Sequence, residues 1–388
     1  MEKHKHYVYA LISIPGFMIL AILAMNMQLE KNDLGGGRKA FLASAWQDET
    51  HGVTYAPPLS STRLFKTLRL NARLPGINTV IFGSSTAMGV RADMLPPPMK
   101  AYNFAQTGNP LVSVIGEAEY IEDHYPNIVN FVIPLDWSLD FIYMQGRSNP
   151  ADLSPPRLEK GPPGPPFFAR MKDALSLPRI KNLGVVLGSI LKSKEKWASA
   201  ESMFFEPSSR DYRCADGSVA RDYDTMYRGT CTGFRFDGSA TFANLDRVSD
   251  AELPSLVLAA TIPSSKYSEA LQHSRGIPNP DILDALSNIV KNARGRVIFF
   301  LPPLIPGMER RFLSLPGYSE DLERTKAVLD AWAKRENVTI IDAGQSEKYG
   351  CSAGEFVDQH HALYSCYEKI FAKFWKEGAD RKGIYVPQ

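Results

Sequence analysis

Short apolar runs rich in β-branched and aromatic residues alternate with amphipathic helical patterns through most of the chain. This alternation is typical of a mostly parallel sheet with helices on both faces. The sequence therefore predicts an α/β fold. Asn279 followed by Pro280 also predicts the start of one helix. The strand-like runs cover 78–82, 127–135, 296–301 and 338–342, and the helical patterns cover 111–124, 279–293, 320–336 and 365–377.

The stretch from Tyr7 to Met27 has no charged residue, and as a helix it is about 30 Å long, the thickness of one hydrocarbon core. It predicts an uncleaved membrane anchor, with a cleavable signal peptide as the alternative interpretation. Basic residues flank both ends of the stretch, so they indicate little about its orientation. The predicted organisation is a cytoplasmic tip and single transmembrane anchor at 1–27, a stalk at 28–70, and a folded domain at 71–388 with an insertion at about 149–275.

The insertion differs in composition from the rest of the domain. Residues 150–166 are rich in proline, which disfavours a helix or a central strand there. Residues 203–242 resemble an inserted cap, whose aromatic and basic side chains either bind sugars or form a small hydrophobic core, and we favour the core. These side chains are Tyr212, Arg213, Tyr223, Tyr227, Arg228, Phe234 and Arg235.

Four cysteines, Cys214, Cys231, Cys351 and Cys366, allow three pairings, and the two local pairings are the simplest in an oxidising compartment. We therefore expect a periplasmic or extracellular domain. Four unlinked buried thiols in a cytoplasmic domain are the alternative. The cysteine spacings differ from those of a structural zinc site. The net charge of +2, without long runs of like charge, also gives no indication of nucleic-acid binding.

A Gly83-Ser84-Ser85 turn follows directly after the strand-like run 78–82. In a parallel sheet, ligands bind at the carboxyl ends of the strands, so a serine at this place is well positioned for chemistry. Serine and glycine are also ordinary residues of turns and helix caps, and a plain helix cap is the alternative interpretation. The tripeptide therefore needs a second signal.

That second signal lies near the C-terminus, where Asp358 precedes His361 by three positions. A nucleophilic serine needs a base within hydrogen-bond reach and a third group that holds the base in the right tautomer. Asp358 and His361 are suited to supply both roles from one turn. His360 and His361 are alternatively a surface pair or metal ligands, but we expect no metal because neighbouring loop histidines rarely bind an ion without further ligands.

Together with the segment 102–108, Tyr-Asn-Phe-Ala-Gln-Thr-Gly, these two motifs resemble in order and strand context the blocks of the SGNH (GDSL-like) hydrolase superfamily. The resemblance covers roughly 79–374, apart from the insertion. It implies a flavodoxin-like three-layer α/β/α sandwich. It also implies that Ser85 is the nucleophile, His361 the general base and Asp358 its orienting partner, without a cofactor.

The resemblance further implies an oxyanion hole that includes the backbone N–H groups of Ser85 and Gly108. The third block departs from the family pattern, since Asp136 lies where Gly-x-Asn-Asp is usual, and an ionised Asp136 repels an oxyanion. Three roles stay open for Asp136: a protonated carboxyl, a substrate ligand or a structural residue, of which we favour the last. The amide of Asn109 is a candidate replacement donor.

Acyl transfer or ester hydrolysis follows from this chemistry, and the anchor restricts the substrate to the cell envelope or its surface. Anchored proteins of this superfamily resemble those that act beside membrane-bound O-acyltransferases, as in alginate O-acetylation and teichoic-acid D-alanylation. We expect an O-acyltransferase or acyl-esterase acting on an envelope polysaccharide, with such an acyltransferase as a partner. The alternative is an inactive glycan-binding or scaffold protein of the same fold, and a lipase is less favoured.

Overall fold

The computed structural model describes residues 13–25, 37–55, 62–135, 175, 210–223, 229–243, 245–259, 277–314 and 318–387. Residues 13–25 are helical and are labelled α1. Within the described ranges, no helix combines the length and the apolar character that crossing a membrane requires. The remaining residues of the predicted anchor lie outside the described ranges.

The strands and helices that follow are numbered in chain order. The strands are β1 Val53–Thr54, β2 Thr79–Ile81, β3 Ala101–Asn103, β4 Asn130–Pro134, β5 Tyr212–Arg213, β6 Val219–Arg221, β7 Val297–Leu301, β8 Thr339–Asp342 and β9 Gly383–Tyr385. The helices are α2 Gly37–Thr50, α3 Thr62–Arg73, α4 Leu111–His124, α5 Leu253–Ala259, α6 Pro280–Asn292, α7 Met308–Leu313, α8 Tyr318–Arg335 and α9 Tyr364–Glu377.

The central sheet contains six strands in the order β3-β2-β4-β7-β8-β9, and every neighbouring pair is parallel. Successive residues of a strand point to opposite faces. In β4, Val132 therefore joins one hydrophobic cluster with residues of α9, while Phe131 and Ile133 join a second cluster with residues of α4, α6 and α8. The predicted α/β fold with a mostly parallel, helix-flanked sheet is confirmed.

The start of α6 follows the sequence signal. The side chain of Asn279 accepts a hydrogen bond of 2.9 Å from the backbone N–H of Asp281. Pro280 occupies the first helical turn, where a backbone N–H would have no acceptor within the helix, so proline costs no hydrogen bond there. Helix α4 has the predicted bounds. The strands β3 and β9 were not predicted as strands, and each forms one edge of the sheet.

The predicted stalk at 28–70 differs from the structure in its described residues. Helices α2 and α3 pack on the same cluster as one face of the sheet, with Ala43, Trp46, Phe65 and Leu68 buried. The same helices also bury polar side chains such as Lys66, which interrupt the apolar pattern in the sequence. These helices therefore belong to the folded body.

The insertion also packs against this early segment. Strands β1, β6 and β5 form a small second sheet in that order, and Phe234 pairs with Thr54 of β1. Phe234 and Tyr223 are buried, which agrees with the preferred core interpretation of the cap, whereas Tyr227 and Arg228 lie outside the described residues.

Both predicted local disulfides are present. Cys214 is bonded to Cys231 with a Cα–Cα distance of 5.8 Å, and Cys351 is bonded to Cys366 with a Cα–Cα distance of 5.1 Å. Disulfides are typical of proteins in oxidising compartments. The first bond closes a loop inside the insertion, and the second closes the loop that carries Asp358 and His361.

A buried lysine connects three parts of the fold. The Nζ of Lys66, on α3, donates 2.8 Å to the carbonyl oxygen of Asn103 at the end of β3, and it also donates to the carbonyl oxygen of Gly238 in the insertion. It lies 4.2 Å from the ring centroid of Phe234. Burial lowers the pKa of Lys66 to about 7, against the opposing effect of Asp237.

We expect the free energy of unfolding to rise by on the order of 1–2 kcal/mol between pH 7 and pH 9 because of Lys66. The folded chain, with a Lys66 pKa of about 7, releases the proton across this range, whereas the unfolded chain, with a lysine pKa of about 10.5, still binds it. Urea unfolding at the two pH values measures the rise. Lys66→Met should lack it, and Lys100→Met, which changes an exposed lysine, should retain it. An equal rise in Lys66→Met would contradict the assignment.

Candidate active site

The turn that carries Ser85 requires a glycine. Gly83 has a φ of +133°, and a Cβ added there would lie 2.4 Å from Cγ of Pro134 and 2.8 Å from Cβ of Ala87. The chain then enters a short 3-10 turn, Ser85–Ala87, whose cap is Ser84, since its Oγ accepts a hydrogen bond of 3.3 Å from the N–H of Thr86. Ser85 therefore lies directly beyond the carboxyl end of β2.

Asn103, the last residue of β3, stabilises this turn through hydrogen bonds from its side chain. Its buried Nδ2 donates to the carbonyl oxygens of Ala87 and Val90, at 2.9 and 2.7 Å, and its Oδ1 accepts from the N–H of Ala105 at 2.9 Å. The hydroxyl of Tyr367, on α9, donates to the carbonyl oxygen of Thr86. The serine turn is thus fixed by the neighbouring strand and by the C-terminal helix.

The Asp-x-x-His spacing forms a tight turn of its own. Oδ1 of Asp358 accepts hydrogen bonds from the backbone N–H groups of His360 and His361, both at 2.9 Å. The N–H of Val357 donates to the carbonyl oxygen of His361 at 3.0 Å, which closes the loop. A three-residue separation therefore lets one aspartate organise the backbone and face the imidazole.

The structure brings Ser85, His361 and Asp358 into one hydrogen-bonded row. His361 Nε2 lies 2.8 Å from Ser85 Oγ, and His361 Nδ1 lies 2.6 Å from Asp358 Oδ2. Burial raises the pKa of Asp358, but the hydrogen bonds from the His361 ring and the His360 backbone outweigh it and hold that pKa below its usual range. An ionised Asp358 only accepts, so Nδ1 of His361 donates to it, and in the neutral ring Nε2 is left to accept the Ser85 proton.

The loop that carries the aspartate and histidine is fastened at several points. The Cys351–Cys366 disulfide is buried and encloses both residues. The N–H of Ile305 donates 2.9 Å to the carbonyl oxygen of Gln359, and the N–H of Val248 donates 3.0 Å to that of Phe356. The loop after β7, the insertion and the disulfide thus all position the turn that carries His361.

The loop around Gly108 lies beside the serine turn, because the N–H of Gln106 donates 2.9 Å to the carbonyl oxygen of Gly83. Gly108 has a φ of +63°. In the described part of the chain, the backbone N–H groups of Ser85 and Gly108 donate to no other residue, which suits an oxyanion hole. Asp136, the residue in the unusual third block, lies outside the described residues.

Sequence reasoning missed Glu117, which organises this loop from α4. Its two carboxylate oxygens accept 3.0 Å hydrogen bonds from the side-chain amides of Gln106 and Asn109, and Arg63 lies 3.2 Å away. Burial raises the pKa of Glu117 to about 7, although these three partners oppose the rise. The amide of Asn109, our candidate oxyanion donor, is thus directed to Glu117. The sequence did offer one signal for this role, since Glu117 is an acidic residue on the apolar face of the predicted helix, and a buried acid needs polar partners.

We expect Gly83→Ala to lower the free energy of unfolding by roughly 2–4 kcal/mol and to displace Ser85, because the added Cβ has no room and the backbone is in a region that alanine avoids. Gly116→Ala is the matched control, since its Cβ would meet nothing within 4 Å inside α4. The free energy of unfolding of that variant should rise by about 0.5–1 kcal/mol. Chemical denaturation measures both, and equal effects of the two substitutions would refute the packing account.

The chain was compared with family models, with curated proteins and with solved structures, and none of them matches it. Its own geometry therefore carries the functional interpretation. That geometry is a serine, a histidine and an aspartate in hydrogen-bond contact at the carboxyl edge of a parallel sheet.

Proposed function

We propose that this chain is a membrane-anchored SGNH-type O-acyltransferase or acyl-esterase that acts on a cell-envelope or extracellular polysaccharide through an acyl group on Ser85. The observation that carries the proposal is the pair of contacts that His361 makes, 2.8 Å to Ser85 and 2.6 Å to Asp358. These distances are those of a nucleophile, its base and the group that orients the base.

In the first half of the reaction, the Oγ of Ser85 attacks the carbonyl carbon of an ester while its proton moves to Nε2 of His361. The carbonyl oxygen becomes an oxyanion, which the N–H groups of Ser85 and Gly108 stabilise as its charge develops. The intermediate then breaks the bond to the leaving alcohol, which takes the proton from His361. An acyl ester on Ser85 remains.

In the second half, a glycan hydroxyl or a water molecule attacks the acyl ester and gives its proton to His361. Breakage of the bond to Oγ returns that proton to Ser85 and releases a new glycan ester or a free acid. Asp358 stays ionised throughout, keeps Nδ1 protonated and stabilises the imidazolium that forms in each half. Glycan attack makes the chain a transferase, and water attack makes it an esterase.

The sheet topology supports a flavodoxin-like α/β/α sandwich as the finer description of the fold. With the six central strands counted along the chain, the first lies between the second and the third, as in flavodoxin-like folds. The topological switch point therefore lies between β2 and β4. Ser85 follows β2, and Gly83 packs against Pro134 at the end of β4, so the candidate site lies where such folds bind ligands.

The proposed location rests on two features. The disulfides favour an oxidising compartment for the domain. The helix α1 exposes Ile14, Phe17 and Leu20, with Phe17 74% exposed, and a lipid environment would cover these side chains. We therefore propose that the N-terminal segment holds the domain at the membrane, beside a membrane-bound O-acyltransferase. That partner, like the glycan, is suggested by the family resemblance alone.

The second candidate, an inactive glycan-binding or scaffold protein, is favoured by the unusual Asp136 in the third block. It predicts the same fold without turnover. The two functions differ in whether the hydroxyl of Ser85 reacts.

We expect a fluorescent alkyl fluorophosphonate to label the full chain on Ser85, because His361 increases the nucleophilicity of its hydroxyl. Ser85→Ala should remove the labelling, and His361→Gln should slow it by roughly 10²- to 10⁴-fold. Ser255→Ala is the control, since it removes an exposed hydroxyl that donates to the carbonyl oxygen of Glu252, and it should still be labelled. Gel fluorescence and peptide mass spectrometry give the readout. A folded parent chain that stays unlabelled would favour the inactive scaffold.

A further inference from the structure

The imidazole of His360 lies beside the Ser85–His361–Asp358 row. Its ring centroid is 4.2 Å from that of His361, and its Nδ1 is 3.6 Å from Oδ1 of Asp358. Half of its side chain is exposed, so an ion from solution can reach it. Two imidazoles thus approach one carboxylate from the same loop.

The distances between the donor atoms of this cluster are close to those between the ligands of a metal ion. One donor each from Asp358, His360 and His361 lie within 4.8 Å of one another. Zinc binds imidazole nitrogen and carboxylate oxygen at about 2.0–2.2 Å, so two ligands of a tetrahedral ion lie roughly 3.3 Å apart. His360 is the exposed member of the cluster, and rotation of its side chain changes the distance of its nitrogens from the other two ligands.

We propose that Asp358, His360 and His361 form an inhibitory site for a divalent transition ion such as Zn²⁺, with water as the fourth ligand. Imidazole and carboxylate ligands suit this class of ion, and Asp358 supplies the further ligand whose lack led the sequence analysis to expect no metal. The inhibitory part rests on the proposed function, whereas binding of the ion does not. His360 is the residue that distinguishes this site from the proposed serine relay.

The inhibition follows from the chemistry of the His361 ring. In the relay, Nδ1 carries the proton toward Asp358, and Nε2 offers its lone pair to Ser85. An ion at Nδ1 takes the lone pair of that nitrogen, so the single proton of the neutral ring moves to Nε2. Nε2 then donates to Ser85 and no longer accepts its proton. The ion also takes the carboxylate of Asp358 and removes the stabilisation of an imidazolium.

The same geometry makes this ion an inhibitor and not a catalyst. Nδ1 and Nε2 lie on opposite sides of the imidazole ring, and Ser85 contacts Nε2. An ion on the Nδ1 side is therefore separated from the serine hydroxyl by the ring. A water molecule on the ion is likewise remote from a carbonyl carbon that Ser85 attacks.

The test titrates Zn²⁺ alone into the full chain by isothermal calorimetry and measures hydrolysis of p-nitrophenyl acetate in parallel. We expect binding and inhibition with matching midpoints, both reversed by a chelator. His360→Ala should weaken both by roughly 10- to 100-fold while the activity without zinc stays within about twofold of the parent, because a ligand is lost but the relay is kept. His124→Ala, which removes an exposed histidine at the end of α4, should change neither.

Binding by other histidines would persist in His360→Ala, so the difference between this variant and the parent decides the outcome. Equal zinc affinity in both chains would overturn the proposal, as would activation by zinc. Binding that depends on His360, in a folded chain that neither releases p-nitrophenol nor reacts with the fluorophosphonate, would retain the metal site but refute the proposed function. Esterase activity that zinc inhibits equally in the parent and in His360→Ala would support the proposed function but refute the metal site.

Discussion

The hydrogen bond between Ser85 and His361 joins residues that are 276 positions apart in the chain, and the site depends on it. A contact of this kind forms only if both loops end at the same edge of the sheet. Gly83 permits the serine turn to pass close to Pro134, and Asn103 and Tyr367 fix the carbonyl oxygens of that turn. Asp358 then sets the direction of the imidazole. Loss of any of these supports would leave the residues present but misaligned.

The fold achieves this arrangement through parallel strands. All six central strands end at one edge, so the loops after β2 and β3 and the C-terminal loop before α9 meet there. The Cys351–Cys366 disulfide reduces the freedom of the last loop, which is otherwise outside the sheet. The insertion and helices α2 and α3 cover one face and meet at the buried Lys66. The site is therefore supported from several elements that are distant in sequence.

The sequence predicted the α/β class, the bounds of α4, the cap of α6 and both disulfides, because each depends on local patterns or on a small number of pairings. It also selected Ser85, Asp358 and His361, since a turn after a strand and an Asp-x-x-His spacing are visible locally. It did not show that α2 and α3 join the core, because their buried faces also carry polar side chains such as Lys66 and Arg69. The edge strand β9 was missed because three residues carry too little periodicity. Glu117 was missed because its amide partners become apparent only in three dimensions.

The central claim is that Ser85 forms a covalent acyl intermediate, and rapid mixing with p-nitrophenyl acetate tests it most directly. The reaction is quenched with acid within the first turnover, and the acetyl group is located by peptide mass spectrometry. The account predicts a burst of p-nitrophenol of up to one per chain, with the acetyl group on Ser85. Ester turnover with the acetyl group on another residue, or with no acylated residue during a burst, would contradict it.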